Sequence, residues 1–294
     1  MTVPVVIIGA GPAGIAAAVQ LRRAGIRFLL YERNRIGGLL NEAHCVGNFP
    51  GIAGGLAGRD LAARLKRQLR AAKIAVEHTD VLRLAFRDNA FVVRSAQGTR
   101  RAARVLLACG TVPLATGPPL DPERLRGRLF ASVLPLLRVS GETIAVVGGG
   151  DAGFDYALTL AAKNRVHVLV RSGRPRALPL LLERCRCHRR IVIHEQCRLI
   201  EVLNKIKGSI VLKVAQDTGG NREIACQRIL TAIGRAPALD LLDPDVRASL
   251  SGLVQEKRIF LAGDVGNGRI RQAAIAAGEG LRAAMMIQQE GQCG

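Results

Sequence analysis

The sequence is poor in aromatic residues, which make up 3% of its 294 residues, and it contains no tryptophan. Proteins that bind single-stranded nucleic acids stack the bases on aromatic side chains, so we expect no nucleic-acid partner. The formal net charge is nevertheless +20, and the basic residues are spread along the whole chain. Two explanations of this charge stay open: an arginine-rich coding composition, or a positive field that attracts an acidic protein partner.

No apolar run is long enough to cross a bilayer, and no signal-like segment precedes the first predicted strand at Val3. We therefore expect a cytoplasmic protein with no membrane partner. The seven cysteines form no CxxC pair, which predicts reduced thiols rather than a disulfide framework. One stretch offers ligand types suited to zinc but matches no standard finger spacing, so we predict no metal site at Cys185, Cys187, His188, His194 and Cys197.

The chain is long enough for two domains, and the first of them begins with a glycine-rich turn. Residues 5–18 read VVIIGAGPAGIAAA, a buried strand followed by Gly9, Gly11 and Gly14 and then a helix. Such a turn needs glycine where the backbone bends, approaches a pyrophosphate and packs helix on strand. A second apolar strand ends at Glu32, where a carboxylate can bind an adenosine ribose.

The same construction recurs at residues 144–157, IAVVGGGDAGFDYA, with Gly148, Gly150 and Gly153. The residue at the ribose position of this second unit is Arg171. A carboxylate there would bind a 2′-hydroxyl and repel a 2′-phosphate, whereas arginine makes charge-assisted contacts to a phosphate. The two motifs together predict FAD in the first unit and NADPH in the second, with NADH possible.

The rest of the chain predicts how the two units are nested. Two strand-and-turn segments of the same shape, residues 104–115 and 228–239, are interpreted as paired crossings between domains. After the second crossing, a strand ends at Gly263 and Asp264, and a helix begins near Arg271. We expect Asp264 to bind the ribityl or diphosphate region of a flavin, and the positive end of the helix to face the flavin N1 and C2 carbonyl.

These patterns predict an α/β fold with two Rossmann-like, three-layer ββα nucleotide-binding domains. The NAD(P)H-binding domain, residues 113–232, is inserted into a discontinuous FAD-binding domain, residues 1–112 and 233–294.

A set of motifs carries a resemblance to one family: GAGPAG, GGLL followed by VGNFPG, ACG, VVGGGDAG, AIGRAP, and AGDV with RQAAIAAGEG. With them the chain resembles the thioredoxin reductase family of flavoproteins along nearly its whole length. The resemblance implies the same nested domains, a homodimer, and rotation of one domain to present NADPH to the flavin.

The motifs and the resemblance together define the candidate cofactor-binding residues. For FAD they are Gly9, Gly11, Pro12, Ala13, Gly14, Glu32, Arg33, Gly38, Leu39, Asn48, Val81, Ala108, Gly110, Gly263, Asp264, Arg271, Gln272 and Ala273. For NADP they are Gly148, Gly149, Gly150, Asp151, Ala152, Arg171, Ser172, Arg176, Ile233 and Gly234.

The chain departs from the family at the redox-active CxxC, which in thioredoxin reductases precedes the strand leading into the second glycine turn. That region, residues 129–148, contains no cysteine, so the family's dithiol route from reduced flavin to thioredoxin is missing. We therefore predict an FAD-dependent NADPH oxidoreductase that is not a conventional thioredoxin reductase. Its expected partner is an electron-acceptor protein, an acidic ferredoxin-like carrier or another iron-sulfur protein.

Two alternatives stay open. The first is a disulfide or small-molecule reductase that works through Cys45 or through partner thiols. His44 and Glu42 are candidate proton donors beside the flavin, although the sequence favours solvated loop residues at both positions. The second is a flavin-binding accessory or redox-sensing protein. Cys109 is predicted to be an inert packing residue.

Overall fold

The computed structural model describes residues 2–204, 209–216 and 219–292, and Cys293 lies outside them. The chain divides into two compact units. Unit 1 comprises Met1–Asn41, Val46–Val112 and Ala236–Gly294, and unit 2 comprises Glu42–Cys45 and Pro113–Arg235. The second boundary falls after residue 235 rather than after residue 232, and the sequence did not predict that Glu42–Cys45 belongs to unit 2.

The chain mixes strand–helix repeats with runs of consecutive strands. The first part contains β1 (Thr2–Ile8), α1 (Pro12–Arg23), β2 (Phe28–Tyr31), α2 (Gly58–Ala71), β3 (Val81–Arg87), β4 (Ala90–Ser95), β5 (Gly98–Leu107) and β6 (Thr111–Pro113). The central part contains β7 (Leu129–Phe130), β8 (Thr143–Val147), α3 (Asp151–Ala161), β9 (Arg165–Leu169), α4 (Pro179–Arg186), β10 (Ile191–His194), β11 (Cys197–Asn204), β12 (Ile210–Gln216), β13 (Asn221–Cys226), β14 (Arg228–Thr231) and β15 (Arg235–Pro237). The last part contains α5 (Pro244–Ala248), α6 (Leu250–Gln255), β16 (Ile259–Leu261) and α7 (Ala273–Gln292). Two short 3-10 helices cover Gly38–Glu42 and Leu134–Arg138.

Unit 1 is built on a sheet with strand order β2-β1-β5-β4-β3, to which β16 adds by pairing with β5. β1 pairs in parallel with β2 and β5, while β4 pairs antiparallel with β3 and β5. Ile7 packs on the side of α1 and α7, and Ile8 packs with Phe91 on the other side. Because β1 is buried on both faces, its sequence is a continuous apolar run rather than an alternating one.

Unit 2 contains a parallel sheet with strand order β10-β9-β8-β14-β7 and an antiparallel sheet with order β11-β12-β13. One face of the parallel sheet packs on α3 through Val146, Val168 and Phe154. The other face packs Ala145 and Leu169 against the antiparallel sheet. This arrangement leaves the carboxyl ends of β8 and β9 open for a ligand.

The chain passes from unit 1 to unit 2 and back through β6 and β15, which form a two-stranded sheet of their own. The two segments predicted as paired crossings contain these two strands. Among the described residues, no helix is both long and apolar enough to span a bilayer.

Candidate dinucleotide-binding sites

The first glycine turn connects β1 to α1, and each of its glycines meets a different steric requirement. Gly9 has φ +106°, and a Cβ placed on it would lie 2.3 Å from the carbonyl oxygen of Ala108. A Cβ on Gly14 would lie 1.8 Å from the carbonyl oxygen of Gly9. A Cβ on Gly11 would have no neighbour within 4 Å. The turn is therefore closed by Gly9 and Gly14 and open at Gly11, beside the N-terminus of α1, where a pyrophosphate can approach backbone N–H groups.

The carboxylate of Glu32 lies directly after β2 and is 7% exposed. One of its oxygens accepts a hydrogen bond from the backbone N–H of Ala10 at 2.7 Å, and the other accepts one from the N–H of Asn34 at 2.8 Å. Glu32 therefore ties the glycine turn to the end of β2. Each carboxylate oxygen retains a further lone pair for a ribose hydroxyl.

Several other candidate FAD residues lie around this turn. Gly38 has φ +53°, and a Cβ on it would be 3.4 Å from Cα of Gly11. Gly263 has φ +80°, and a Cβ on it would be 3.1 Å from Cβ of Ala13. The side-chain amide of Asn48 donates to the side-chain oxygen of Gln272 at 3.0 Å. These contacts bring together stretches that are far apart in sequence.

The remaining candidate FAD residues differ in exposure. Ala108 and Val81 are buried, and Val81 belongs to the core formed with Ile8, so only its backbone is available to a ligand. Arg33 is exposed and follows Glu32, while Leu39 is half-buried. The other members lie at turns or helix starts: Pro12 is the first residue of α1, Gly110 precedes β6, Asp264 and Arg271 lie in the β16–α7 loop, and Ala273 is the first residue of α7.

Glu279 on α7 was missed by sequence reasoning. Its carboxylate accepts hydrogen bonds from the N–H of Gly263 and from the side-chain amide of Asn267, each at 2.7 Å. The same helix packs with its backbone against α1, because a Cβ on Gly280 would lie 1.9 Å from the carbonyl oxygen of Ala13. The only sign of these contacts in the sequence is the AGEG motif, which contains Glu279 and Gly280.

The second glycine turn, between β8 and α3, repeats the geometry of the first. Gly148 has φ +146°, and a Cβ on it would lie 2.3 Å from the carbonyl oxygen of Ala232. A Cβ on Gly153 would lie 2.4 Å from the carbonyl oxygen of Gly148, and one on Gly150 would have no neighbour within 4 Å. The second turn is thus also closed at its first and last glycines and open at the middle one, and Ala152 lies just inside α3.

A loop after β9 folds back over this second turn. The N–H of Arg176 donates to the carbonyl oxygen of Gly149 at 2.8 Å, and the N–H of Leu178 donates to the carboxylate of Asp151 at 2.8 Å. Val170 lies under the turn, since a Cβ on Gly149 would be 2.5 Å from its Cγ1. The carboxylate of Asp151 therefore positions this loop.

The loop presents three exposed arginines, Arg171, Arg174 and Arg176. None of them forms an ion pair with any residue that the structure describes. The hydroxyl of Ser172 donates to the carbonyl oxygen of Arg174 at 2.8 Å, which keeps the loop compact. A ligand phosphate placed here can therefore make charge-assisted contacts without displacing an existing carboxylate.

Ile233 and Gly234 lie between β14 and β15. The side chain of Ile233 is 44% exposed. Gly234 has φ +128°, and a Cβ on it would be 2.9 Å from a methyl group of Leu114. Glycine at this position allows the return crossing to pack closely against Leu114.

The candidate catalytic residues His44 and Cys45 lie in the four-residue segment that belongs to unit 2. The backbone N–H of His44 donates to the carboxylate of Asp155 at 2.7 Å, and its ring nitrogen Nδ1 is 3.3 Å from the hydroxyl of Thr159. Burial raises the pKa of the Asp155 carboxyl, and the nearby backbone N–H groups of His44 and Cys45 oppose this effect. Both candidate side chains are exposed.

Both carboxylate oxygens of Glu42, the first residue of this segment, accept hydrogen bonds. Its carboxylate accepts hydrogen bonds from the hydroxyls of Ser132 at 3.0 Å and Tyr156 at 2.9 Å. Burial raises the pKa of Tyr156, and the negative charge of Glu42 adds to this effect. Glu42 is therefore a bonded, half-buried residue rather than the solvated loop residue of a simple turn.

The histidine- and cysteine-rich stretch does not converge on one point. The thiol of Cys185 is buried and lies 3.4 Å from the carbonyl oxygen of Phe154, whereas Cys187 is exposed. In the part of the chain that the structure describes, no three His, Cys, Asp or Glu side chains are grouped so that they could hold a metal ion. His194 instead pairs with His167, with 2.8 Å between Nε2 of the former and Nδ1 of the latter.

Three thiols are held in environments that suppress reactivity. Burial raises the pKa of Cys109 to about 11, that of Cys185 to about 11 and that of Cys226 to about 12. The thiol of Cys109 also donates to the carbonyl oxygen of Ala238 at 3.1 Å. Because the thiolate is the reactive form, these thiols are packing residues at neutral pH.

Two glycine turns of matching geometry, followed in one unit by a buried carboxylate and in the other by exposed arginines, define a protein with two dinucleotide-binding units. The chain belongs to the pyridine nucleotide-disulphide oxidoreductase family, whose model matches residues 3–280, and within that family it is thioredoxin reductase-like. Thioredoxin reductases use FAD and NADPH for flavin-dependent oxidoreduction, which confirms the predicted cofactors and class of enzyme.

Known proteins resemble the chain over nearly all of its length. It is 32% identical over 290 residues to a thioredoxin reductase of Treponema pallidum, covering 95% of this chain and 94% of that protein. It is 31% identical over 305 residues to the NADPH-dependent thioredoxin reductase 3 of Arabidopsis thaliana, covering 97% of this chain but only 57% of that longer protein. The crystal structure of a Lactococcus lactis thioredoxin reductase superposes with a TM-score of 0.84 at 23% identity over 98% of both chains, which confirms the predicted fold class.

Proposed function

We propose that this protein oxidises NADPH and passes the electrons through FAD to an external electron-carrier protein, an acidic ferredoxin-like or other iron-sulfur protein. The observation that carries the cofactor assignment is the contrast between the two ribose positions. Glu32 is a buried carboxylate, while Arg171 is an exposed guanidinium without an ion pair among the described residues. The two positions therefore favour different dinucleotides.

The residues present fit both cofactors. A Cβ on Gly11 or Gly150 would meet open space, so phosphate oxygens can reach the N-termini of α1 and α3. We assign Glu32 to the adenosine ribose of FAD, and Arg171 and Arg176 to the 2′-phosphate of NADPH. When bound, FAD accepts a hydride from NADPH and can release the electrons one at a time.

Residues of this chain contribute binding, orientation and charge rather than covalent chemistry. Glu279 fixes Gly263 and Asn267 at the loop that carries Asp264, which we assign to the ribityl or diphosphate region. The first turn of α7, at Ala273, is the positive end of a helix of 20 residues, where the backbone N–H groups point out of the helix. That end would favour negative charge on a reduced flavin.

Two properties favour a protein carrier over a dithiol relay. Residues 129–148 contain no cysteine, and Ser132 in that region is bonded to Glu42. The net charge of +20 favours encounter with an acidic protein. Iron-sulfur carriers accept the single electrons that a flavin can release. We further propose that the protein acts as a homodimer in the cytoplasm.

A second candidate function is reduction of a disulfide or a small molecule through Cys45 or partner thiols. The exposure of Cys45 favours it, since an accessible thiol can exchange with a disulfide, and the two relatives described above are both named thioredoxin reductases. A flavin-binding accessory or redox-sensing protein is a third candidate, in which NADPH would leave the flavin oxidised.

The test is anaerobic stopped-flow reduction of the FAD-loaded protein with NADPH and with NADH. Reduced protein is then mixed with an acidic plant-type ferredoxin, with thioredoxin and with a small aromatic disulfide. We expect fast flavin bleaching by NADPH and reoxidation by ferredoxin, both unchanged in Cys45→Ser. Oxidised flavin after NADPH addition would refute the enzyme proposal. Consumption of a disulfide without ferredoxin reduction would establish the second candidate, and its loss in Cys45→Ser would identify the thiol.

A further inference from the structure

The turn between β10 and β11 contains a residue in an unusual backbone conformation. Gln196 has φ +54°, a left-handed value that disfavours side chains with a Cβ. The side chain of Gln196 is exposed, so no apolar core holds the residue in this state. Such conformations persist where the surrounding structure requires them.

Backbone hydrogen bonds connect this turn to the loop that follows β9. The N–H of Gln196 donates to the carbonyl oxygen of Ser172 at 3.3 Å, and the N–H of Cys197 donates to that of Val170 at 2.9 Å. In return, the N–H of Val170 donates to the carbonyl oxygen of His194 at 2.9 Å. The residues on both sides of Arg171 are therefore bonded to the turn through their backbones.

The side chain of Gln196 makes a second, independent contact with the same loop. A Cβ placed on Gly173 would lie 2.9 Å from Nε2 and 3.3 Å from Cγ of Gln196. The glutamine side chain thus occupies the space that a side chain at position 173 would need. Gly173 itself does not have a left-handed φ, so the effect of an alanine there is to displace the far end of the exposed Gln196 side chain rather than to strain the backbone.

We propose that Gln196 is a positioning residue that sets the preference for a 2′-phosphorylated nucleotide by holding the Arg171–Arg174 loop in place. Arginine side chains are long and flexible, so their contacts with a phosphate depend on the position of the backbone atoms to which they are attached. A displaced loop weakens contacts to the 2′-phosphate while leaving contacts to the glycine turn intact. The inference rests on the proposed function, which assigns Arg171 to that phosphate.

The test is a double-mutant cycle of Gly173→Ala, Gln196→Gly and the combined variant. Binding of adenosine 2′,5′-bisphosphate and of 5′-AMP to the FAD-loaded protein is measured by calorimetry. These probes differ only in the 2′-phosphate, and their binding requires no electron transfer. Glycine adopts φ +54° without strain, so Gln196→Gly is expected to fold.

We expect Gln196→Gly, which removes the side chain that lies over Gly173, and Gly173→Ala, which displaces it, each to weaken binding of the bisphosphate about threefold to tenfold and to leave 5′-AMP binding unchanged. In the combined variant the alanine has room, so its affinity should equal that of Gln196→Gly alone. With NADPH the KM should follow the same pattern at constant kcat, and the KM for NADH should not change. Gly117→Ala is the matched control in unit 2, because a Cβ there meets nothing within 4 Å.

The possible outcomes separate the two proposals. If the unmodified protein binds both probes equally, the 2′-phosphate assignment fails. If it prefers the bisphosphate but Gln196→Gly binds it normally, or if the two substitutions are additive, the positioning role of Gln196 is refuted while the assignment stands. Equal weakening of both probes by Gly173→Ala would also refute it, since that pattern indicates general damage to the unit.

Discussion

At the residue scale, the buried carboxylate of Glu32 combines two roles. It accepts backbone hydrogen bonds from Ala10 and Asn34, and it is also our candidate ligand for the FAD ribose. Hydrogen bonds to a charged acceptor contribute roughly 1.5–3 kcal/mol each. Structural and ligand-binding roles therefore coincide in one side chain.

Replacing Glu32 with Gln is expected to weaken FAD binding by about tenfold or more, because the amide is a weaker acceptor and turns a donor toward the Ala10 N–H. The measurement is the recovery of flavin fluorescence as the protein releases FAD on dilution. Glu77→Gln is a control at a carboxylate in the neighbouring segment of unit 1. Tight FAD retention in Glu32→Gln, together with a lower melting temperature, would show that Glu32 serves the turn alone.

A pair of histidines, of which His194 is buried and His167 is half-buried, predicts acid sensitivity. The rings of His167 and His194 stack with centroids 5.1 Å apart, and Nη1 of Arg222 lies 3.4 Å from Nδ1 of His194. Burial, then His167 and Arg222, lower the pKa of His194 to about 4, and burial followed by Arg165 lowers that of His167. Both rings are therefore neutral in the folded protein at neutral pH.

The unfolded chain binds a proton at His194 near its ordinary pKa of about 6.5, whereas the folded chain does so only near pH 4. The free energy of unfolding should therefore be fully maintained above pH 6.5 or so and fall as the pH drops toward 4. In His194→Gln, the fall in the free energy of unfolding over this pH range should be smaller by about 1 to 2 kcal/mol. Denaturant unfolding at several pH values measures it, and identical pH profiles for both proteins would contradict the assignment.

At the scale of elements, the packing of α7 on α1 depends on one glycine. Gly280→Ala should lower the free energy of unfolding by about 1 to 3 kcal/mol, because its Cβ would meet the carbonyl oxygen of Ala13 at 1.9 Å and push the helices apart. Gly278→Ala is the control on the same helix, where a Cβ has no neighbour within 4 Å. It should stabilise by about 0.5 to 1 kcal/mol through helix propensity. Thermal unfolding measures both, and equal effects would contradict the close approach of the helices.

The elements also show which features a sequence can predict. The two glycine turns were predictable because the steric need for glycine is local to each strand–turn–helix unit. Glu279 and Gln196 were not, because their partners Gly263 and Ser172 lie on other segments and the pairing depends on tertiary structure. The predicted return after residue 232 and the division after Arg235 both lie in the short segment from the end of β14 to β15, where the local sequence does not mark one particular residue as the boundary.

At the scale of the whole molecule, the net charge of +20 has a kinetic consequence. Electrostatic attraction raises the encounter rate with acidic proteins and is screened by salt. We expect kcat/KM for an acidic ferredoxin to fall about tenfold between ~50 and ~500 mM salt, while that for an uncharged quinone changes less than about twofold. Equal salt dependence for both acceptors would indicate that the charge has no role in recognition.

The assignment of Glu42–Cys45 to unit 2 means that this unit, to which we assign NADPH, is not a contiguous piece of chain. A fragment cut at residues 113 and 235 would include the whole second glycine turn and both of its sheets. It would nevertheless leave the hydroxyls of Ser132 and Tyr156 without their acceptor and deprive Asp155 of the backbone donor of His44. Excision or grafting of this unit would therefore have to carry a tetrapeptide from a distant part of the gene.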